Sequence, residues 1–212
     1  MPKTTFFRLP DDKRERILRC AIDEFHRKGF EKANIGEIAA RAGVAKGSMY
    51  QYFDNKRELF LYTARWTLEF FMTRIDRQTP LAEMDIFDYF LAGTRQRFEL
   101  ARGEKELTLF SQDILSGKFG ALTEQANAQF ERVSDDYLPR LIEAGKQKGT
   151  VRTDISTKTL ALFLLGATQK AQEQLFSVAL RQDFELTDAQ FQVNEALLRD
   201  IVTLLKQGMG RA

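Results

Sequence analysis

The stretch from Asn34 to Lys56, NIGEIAARAGVAKGSMYQYFDNK, constrains this chain more than any other. Asn34 and Glu37 stand at capping-box spacing and start a helix. Ile38, Ala39 and Ala42 give that helix a small apolar face, and Gly43 supplies a sharp turn. A second short helix follows, and Asn55 with Glu58 caps a third. Two short helices about a glycine turn, crossing closely because their contact residues are small, describe a helix-turn-helix. That unit lays its second helix in the DNA major groove.

At about 100° per residue, Met49 and Phe53 share the inward face of the second helix. Gln51 then points almost directly outward, with Gly47 and Ser48 on the same side, and Tyr50 and Tyr52 fall on the flanks. This pattern assigns base edges to the outward residues and phosphates to the flanking tyrosines. Gln bonds adenine bidentately and Ser serves several bases. Gly47 removes a side chain at the closest approach. Lys56 adds a charge, and the helix it opens offers N-terminal amides to phosphate. A packed aromatic cluster is the plainer reading of Tyr50, Tyr52 and Phe53. It suits Phe53 but leaves two tyrosine hydroxyls unexplained.

The 212 residues are ordinary in composition, 43% hydrophobic and 29% charged, and allow one domain or a small one joined to a larger one. Residues 1–60 hold 13 Lys/Arg against 9 Asp/Glu, whereas 61–212 hold 19 against 21. A basic end on a near-neutral body fits nucleic-acid contact at that end. Cys20 and His26 are the only cysteine and histidine. They exclude a disulfide framework, a thiolate zinc site and a Ser-His-Asp hydrolase, and they read as a structural thiol and a surface imidazole. A helical enzyme would have to rest on carboxylates, and none stands apart from solvated charge. No cofactor or metal is expected. Without a signal-peptide run or a membrane-length apolar stretch, the expected compartment is the cytoplasm.

Helical periodicity runs almost everywhere and strand signals are nearly absent, so the expected fold is all-α. The first six residues read as a disordered tail. A helix over about 12–28 follows, with Asp12 and Glu15 at capping-box spacing, a stripe of Leu18, Ala21, Ile22 and Phe25, and Gly29 at its end. The two helices of the turn fall at about 35–42 and 47–53. A long helix runs from Asn55 to about Asp76, and others lie near 83–102, 104–115, 121–148, 156–181 and 187–208. Pro139 predicts a kink or break in the fourth of these six.

Ile38-Ala39, Ala42-Gly43-Val44-Ala45, Lys46-Gly47, Tyr50-Gln51-Tyr52-Phe53, Lys56 and Glu58-Leu59 together resemble the DNA-binding domain of the TetR family of one-component regulators. The match covers about residues 10–60. It implies phosphate contacts for Tyr50, Tyr52 and Lys56, and base approach for Lys46, Ser48 and Gln51. Asn34 stands where the family favours threonine, which preserves capping but alters a phosphate contact. Ala45 replaces the usual serine cap of the reading helix, a loss of about 1 kcal/mol.

The resemblance implies an N-terminal three-helix DNA-binding domain over 1–56 and a helical effector-binding and dimerisation domain over 57–212. Trp66, Phe70, Phe90, Thr94, Phe98, Phe110 and Phe163 are candidate effector contacts or core, with Gln169 a polar partner or part of a solvated face. Their chemistry favours an apolar or aromatic small molecule. The last two helices pair with their copies in the family. Here Phe176, Leu180, Leu197, Leu198, Ile201 and Leu205 would form that homodimer face, unless a lone chain buries them in its own core. The expected function is a bacterial repressor bound as a homodimer to palindromic double-stranded operator DNA. The alternative is a regulator answering to a protein partner.

Overall fold

The structure, a computed structural model, describes residues 1–78, 84–167 and 188–210. Among these, nearly all secondary structure is helical: α1 (Thr4–Phe7), α2 (Asp11–Lys32), α3 (Ile35–Ala42), α4 (Lys46–Tyr52), α5 (Lys56–Gln78), α6 (Ile86–Gly103), α7 (Lys105–Leu115), α8 (Ala121–Gln147), α9 (157–167) and α10 (Asp188–Met209). A single antiparallel bridge, Val151 to Gly210, is the only extended pairing described. No described helix is long and apolar enough to cross a membrane.

The chain divides into two compact units. The first holds Met1–Phe71 with Gly103–Glu131, and the second Met72–Arg102 with Arg132–Ala212. The unit that contains the helix-turn-helix therefore extends beyond residue 56. The reason is packing. The apolar stripe of α2, Ile17, Leu18, Ala21, Ile22 and Phe25, is wider than α3 and α4 can cover, and α5 and α7 close it with Leu59, Phe60, Leu107, Phe110 and Ile114. Phe25 meets Phe60 edge-on at 5.1 Å and stacks on Phe110 at 6.4 Å, while Phe119 lies 4.8 Å from Phe60. Aromatic pairs in these geometries add to the stabilisation from burial alone. Arg19 of α2 grips both oxygens of Glu104 at 2.6 and 3.1 Å, a bidentate pair at the edge of the same interface.

Several expectations for this unit change. The first residues form no disordered tail. They build α1, whose Phe6 is fully buried. A large ring finds a ready apolar seat among Tyr52, Phe53 and Tyr62, and its burial outweighs the cost of ordering a short segment. The capping box at Asp12 and Glu15 does not form. Pro10 occupies the N-cap with its φ already set, and its carbonyl accepts from Lys13 and Arg14. Gly29 does interrupt α2, at φ 69°, but a further turn runs on to Lys32. His26 is not a free surface imidazole: its Nδ1 lies 2.6 Å from Asp113 Oδ2, and Lys118 donates to the same oxygen at 2.6 Å.

In the second unit, Ile86, Phe87 and Tyr89 of α6 pack with Leu138, Leu141 and Ile142 of α8, Leu160 and Leu164 of α9, and Leu205 of α10. A turn follows α8, with Gly149 at φ 72° and Val151 buried. Gly145 is required there, because a Cβ on it would stand 2.5 Å from Val151 Cγ2. α8 continues through Pro139, which contradicts a break at that position. The proline forfeits one ladder bond, but Leu138, Leu141 and Ile142 around it are buried and hold the helix in place.

Asp85 caps α6, accepting from the backbone N–H of Phe87 at 2.7 Å and of Asp88 at 2.9 Å. Burial pushes its carboxyl up, but these two bonds and Lys206 at 3.5 Å overcome that and hold it below the usual range. Such a group stabilises the fold above its unfolded value of about 3.9 and loses that contribution as pH falls through its lower folded value. Asp85→Ala should therefore cost about 1 kcal/mol near neutral pH in urea melts. The gap from wild type should shrink only below about pH 4.

Candidate nucleic-acid interface

The helix-turn-helix is assembled from its caps inward. Asn34 has extended backbone at the N-cap of α3, and its side chain accepts from Gly36 N at 2.7 Å. Its own N–H donates to the buried carboxylate of Glu24 on α2 at 3.1 Å, so α2 fixes where α3 begins. Glu24 also pairs with Lys28 at 2.9 Å, which compensates the cost of burying its charge. Gly43 closes α3 in the left-handed conformation, at φ 69° and ψ 36°. Val44 N reaches Ala39 O at 2.9 Å and Gly43 N reaches Ala40 O at 3.2 Å, the paired bonds of a Schellman turn.

α4 starts at Ala45, which gives no side-chain cap. Met49 and Phe53 point into the core as their spacing requires. Gly47, Tyr50 and Gln51 are exposed, Tyr50 by 46%, and Ser48 is partly covered. Tyr52 departs from expectation. It is 7% exposed, and its ring packs 6.0 Å from Phe6, so it belongs to the inner face and not to an open flank. The sequence pattern placed it outside because the segment that covers it, α1, read as a tail.

Beside the exposed face of α4 lies a groove of about 360 Å³ lined by Ala33, Asn34, Ile35, Lys46, Tyr50, Asp54, Asn55 and Lys56. It gathers residues from the starts of α3, α4 and α5. Two cations and a phenol line it, and so does one carboxylate. Lys3 bonds Asp54 at 2.7 Å and holds its carboxyl below the usual range, so that charge is already paired. Lys56 has a structural task as well: its ammonium donates to Glu31 O at 3.0 Å and Ala33 O at 3.1 Å, and it sits 4.8 Å over the Phe30 ring. Lys46 is exposed, and its stem crosses Gly36, where an added Cβ would stand 3.6 Å from Lys46 Cδ. The arrangement offers donors and positive charge to a phosphate beside a helix face free to meet base edges.

The remaining expected contacts scatter. Phe110 is fully buried in the aromatic core of the first unit. Trp66 and Phe70 are neighbours there at 5.3 Å, with the Arg19 guanidinium 5.3 Å over Phe70. Phe90 and Phe98 belong to the second unit, and Phe163 is 53% exposed on α9. The side chain of Thr94 lies outside what is described, as do Gln169, Phe176 and Leu180. On α10, Leu198 and Leu205 are buried within their own chain, Ile201 is half-buried and Leu197 is exposed.

Sequence reasoning missed a cleft of about 320 Å³ in the second unit, lined by Met84, Asp88, Leu91, Ala92, Arg95, Glu195, Leu198 and Arg199. Arg95 and Arg199 both bond Glu195, at 3.0 and 2.9 Å. Each charge reads alone as solvated surface, and the pairing spans 100 positions. The available signal was spacing: Asp88, Leu91, Ala92 and Arg95 share one face of α6. Among the described residues, no three His, Cys, Asp or Glu side chains converge as a metal site would require.

The model for bacterial regulatory proteins of the tetR family matches residues 17–63, from the second turn of α2 into α5. The HTH-type transcriptional regulator YvdT of Bacillus subtilis (strain 168) is 24% identical, with 100% of both chains covered. A crystal structure of a TetR family transcriptional regulator from Chloroflexus aurantiacus J-10-FL shares 27% identity over 100% of both chains, with a TM-score of 0.61. The transcriptional regulator FadR from Bacillus subtilis, solved in complex with stearoyl-CoA, gives a TM-score of 0.68 at 19% identity. That match covers 92% of this chain and 98% of FadR, and it is a likeness of fold.

Gly47 separates stability from binding. A Cβ there meets no protein atom within 4 Å. Gly47→Ala should therefore raise stability by about 1 kcal/mol in denaturant melts. If α4 faces a groove wall, the same change should weaken DNA binding in a fluorescence anisotropy titration.

Proposed function

This chain belongs to the TetR family of transcriptional regulators, and from that premise we propose that it is a repressor. It binds a palindromic operator as a homodimer and leaves the DNA when a small hydrophobic or aromatic molecule binds. The observation that carries the reading is the exposed face of α4 beside a groove lined by Lys46, Tyr50 and Lys56. Gln51 and Ser48 read base edges, and Lys46, in the groove beside them, reaches phosphate. Tyr50, Asn34 and the start of α5 hold phosphate, where Lys56 keeps a third N–H beyond its two carbonyls. Tyr52 supports the helix from within.

One helix of seven residues reaches few base pairs, so a two-fold pair is needed to read a full site. Leu162 and Phe163 on α9, with Leu197 and Leu204 on α10, are exposed in the single chain, Leu204 by 65%. Leu197 and Leu204 stand seven apart and share a face, and large exposed apolar residues grouped this way mark association surfaces. They replace Leu198 and Leu205 as the contacts of the homodimer. Residues up to 56 read DNA in this scheme, and the remainder senses and dimerises. The effector acts by population shift. α5 begins at the groove with Lys56 and contributes to both compact units, so a displacement of its far end changes the spacing of the two reading helices. FadR, solved with stearoyl-CoA, is an instance of this fold with a ligand that carries a long apolar acyl chain.

The test uses a duplex that the wild-type chain selects from a randomised library. Gln51→Ala should lose about 1–3 kcal/mol of preference at particular base positions. Lys46→Ala should instead weaken all sequences and lower the salt slope by about one. If the two variants behave alike, the division between base and phosphate contacts is wrong. Leu204→Glu should turn the protein into a monomer by light scattering and abolish binding to the selected palindrome.

A further inference from the structure

An α-helix leaves its last four carbonyls without partners in its own ladder. In α4 all four are satisfied, and only one of them locally. Met49 O accepts from Phe53 N at 2.9 Å. Tyr50 O accepts from the Lys3 ammonium at 2.9 Å, Gln51 O from the Thr5 hydroxyl, and Tyr52 O from the Lys3 backbone N–H at 2.9 Å. Three of the four partners thus come from two residues at the start of the chain. The Lys3 ammonium also sits at the negative end of the helix dipole and bonds Asp54 just beyond it.

The same segment is anchored from behind. Phe6 is fully buried, 4.8 Å from the Phe53 ring and 5.6 Å from that of Tyr62. Arg14 of α2 donates to Phe7 O at 3.3 Å and ties the far end of the segment to the domain. α4 itself has seven residues and no side chain at its N-cap. Its free end is uncapped and its other end is held by the strap.

We propose that residues 1–9 are a working part of the DNA-reading device, a strap that sets the position of α4, with Lys3 and Phe6 as its positioning residues. The strap lies wholly outside the 17–63 stretch that the family model matches. Lys3 acts through the carbonyls it bonds and not through phosphate, so its charge contributes no counterion release. The proposal rests on the reading of α4 as a DNA-binding helix, and its test separates the two.

The full chain is assayed on a duplex selected by wild type and on an unrelated duplex of equal length, across a salt series, and by hydrogen exchange without DNA. Phe6→Ala should lose about tenfold affinity for the selected duplex and little for the unrelated one, because a misplaced helix loses specific contacts first. Phe6→Leu should restore most of the loss. Lys3→Ala should weaken selected binding with an unchanged salt slope. In both alanine variants the amides of α4 should exchange faster while those of α7 keep their protection. Unchanged selected affinity in Phe6→Ala, or a salt slope lower by about one in Lys3→Ala, would overturn the strap. If wild type selects no duplex, the DNA-binding reading fails by itself. The exchange rates of α4 then decide the strap, and unchanged protection refutes it.

Discussion

α4 has seven residues, about two turns, and a helix that short is marginal in water by itself. Its conformation is imposed by what surrounds it. Met49, Tyr52 and Phe53 seat it on α1 and α5, the Schellman turn at Gly43 sets its direction of departure from α3, and residues 3 and 5 satisfy its carbonyl end. Those supports need a rigid base. The aromatic contact of Phe25, Phe60, Phe110 and Phe119 supplies it by joining α2, α5 and α7 into one core. A helix of two turns can therefore hold a fixed shape.

Local rules are broken where the surface faces outward. Ala45 omits a cap, and Gly47 places the poorest helix former but proline inside a helix. Neither choice is explained by packing, since Gly47 faces open space. Departures of this kind are expected where a sequence trades stability for contact with a partner. Charge follows a related pattern. Glu24, Asp54 and Asp23 sit close to the turn, yet each is paired, with Lys28, Lys3 and Arg41 respectively. The acidic groups serve the architecture and leave a positive margin at the groove.

Much of this was legible in sequence. The turn at Gly43, the cap at Asn34, the inward Met49 and Phe53 and the outward Gln51 follow from spacing and residue chemistry alone, because each is a local relation over a few positions. Phenylalanine abundance was less informative. A Phe on a helix stripe reads the same whether its neighbours are other rings or a vacant site, and only the packing shows that Phe110 lies inside the core of the DNA-binding unit. The stripe on α10 was ambiguous for a similar reason. Its leucines recur around more than one face, and the fold sends Leu198 and Leu205 inward while leaving Leu197 and Leu204 out.

The sequence by itself determined an all-helical chain, a helix-turn-helix between Asn34 and Lys56, and the family to which that pattern belongs. These depend on periodicities and caps that act within one or two turns. The tertiary structure decided what distant residues do together: that α7 shares a core with α2, that Lys56 holds two carbonyls of the α2 terminus, and that the first residues complete α4. A short polar and aromatic segment such as 1–9 has no periodicity of its own to reveal order. It becomes ordered because the end of α4 presents unpaired carbonyls beside an apolar seat, and both exist only once the helices have packed.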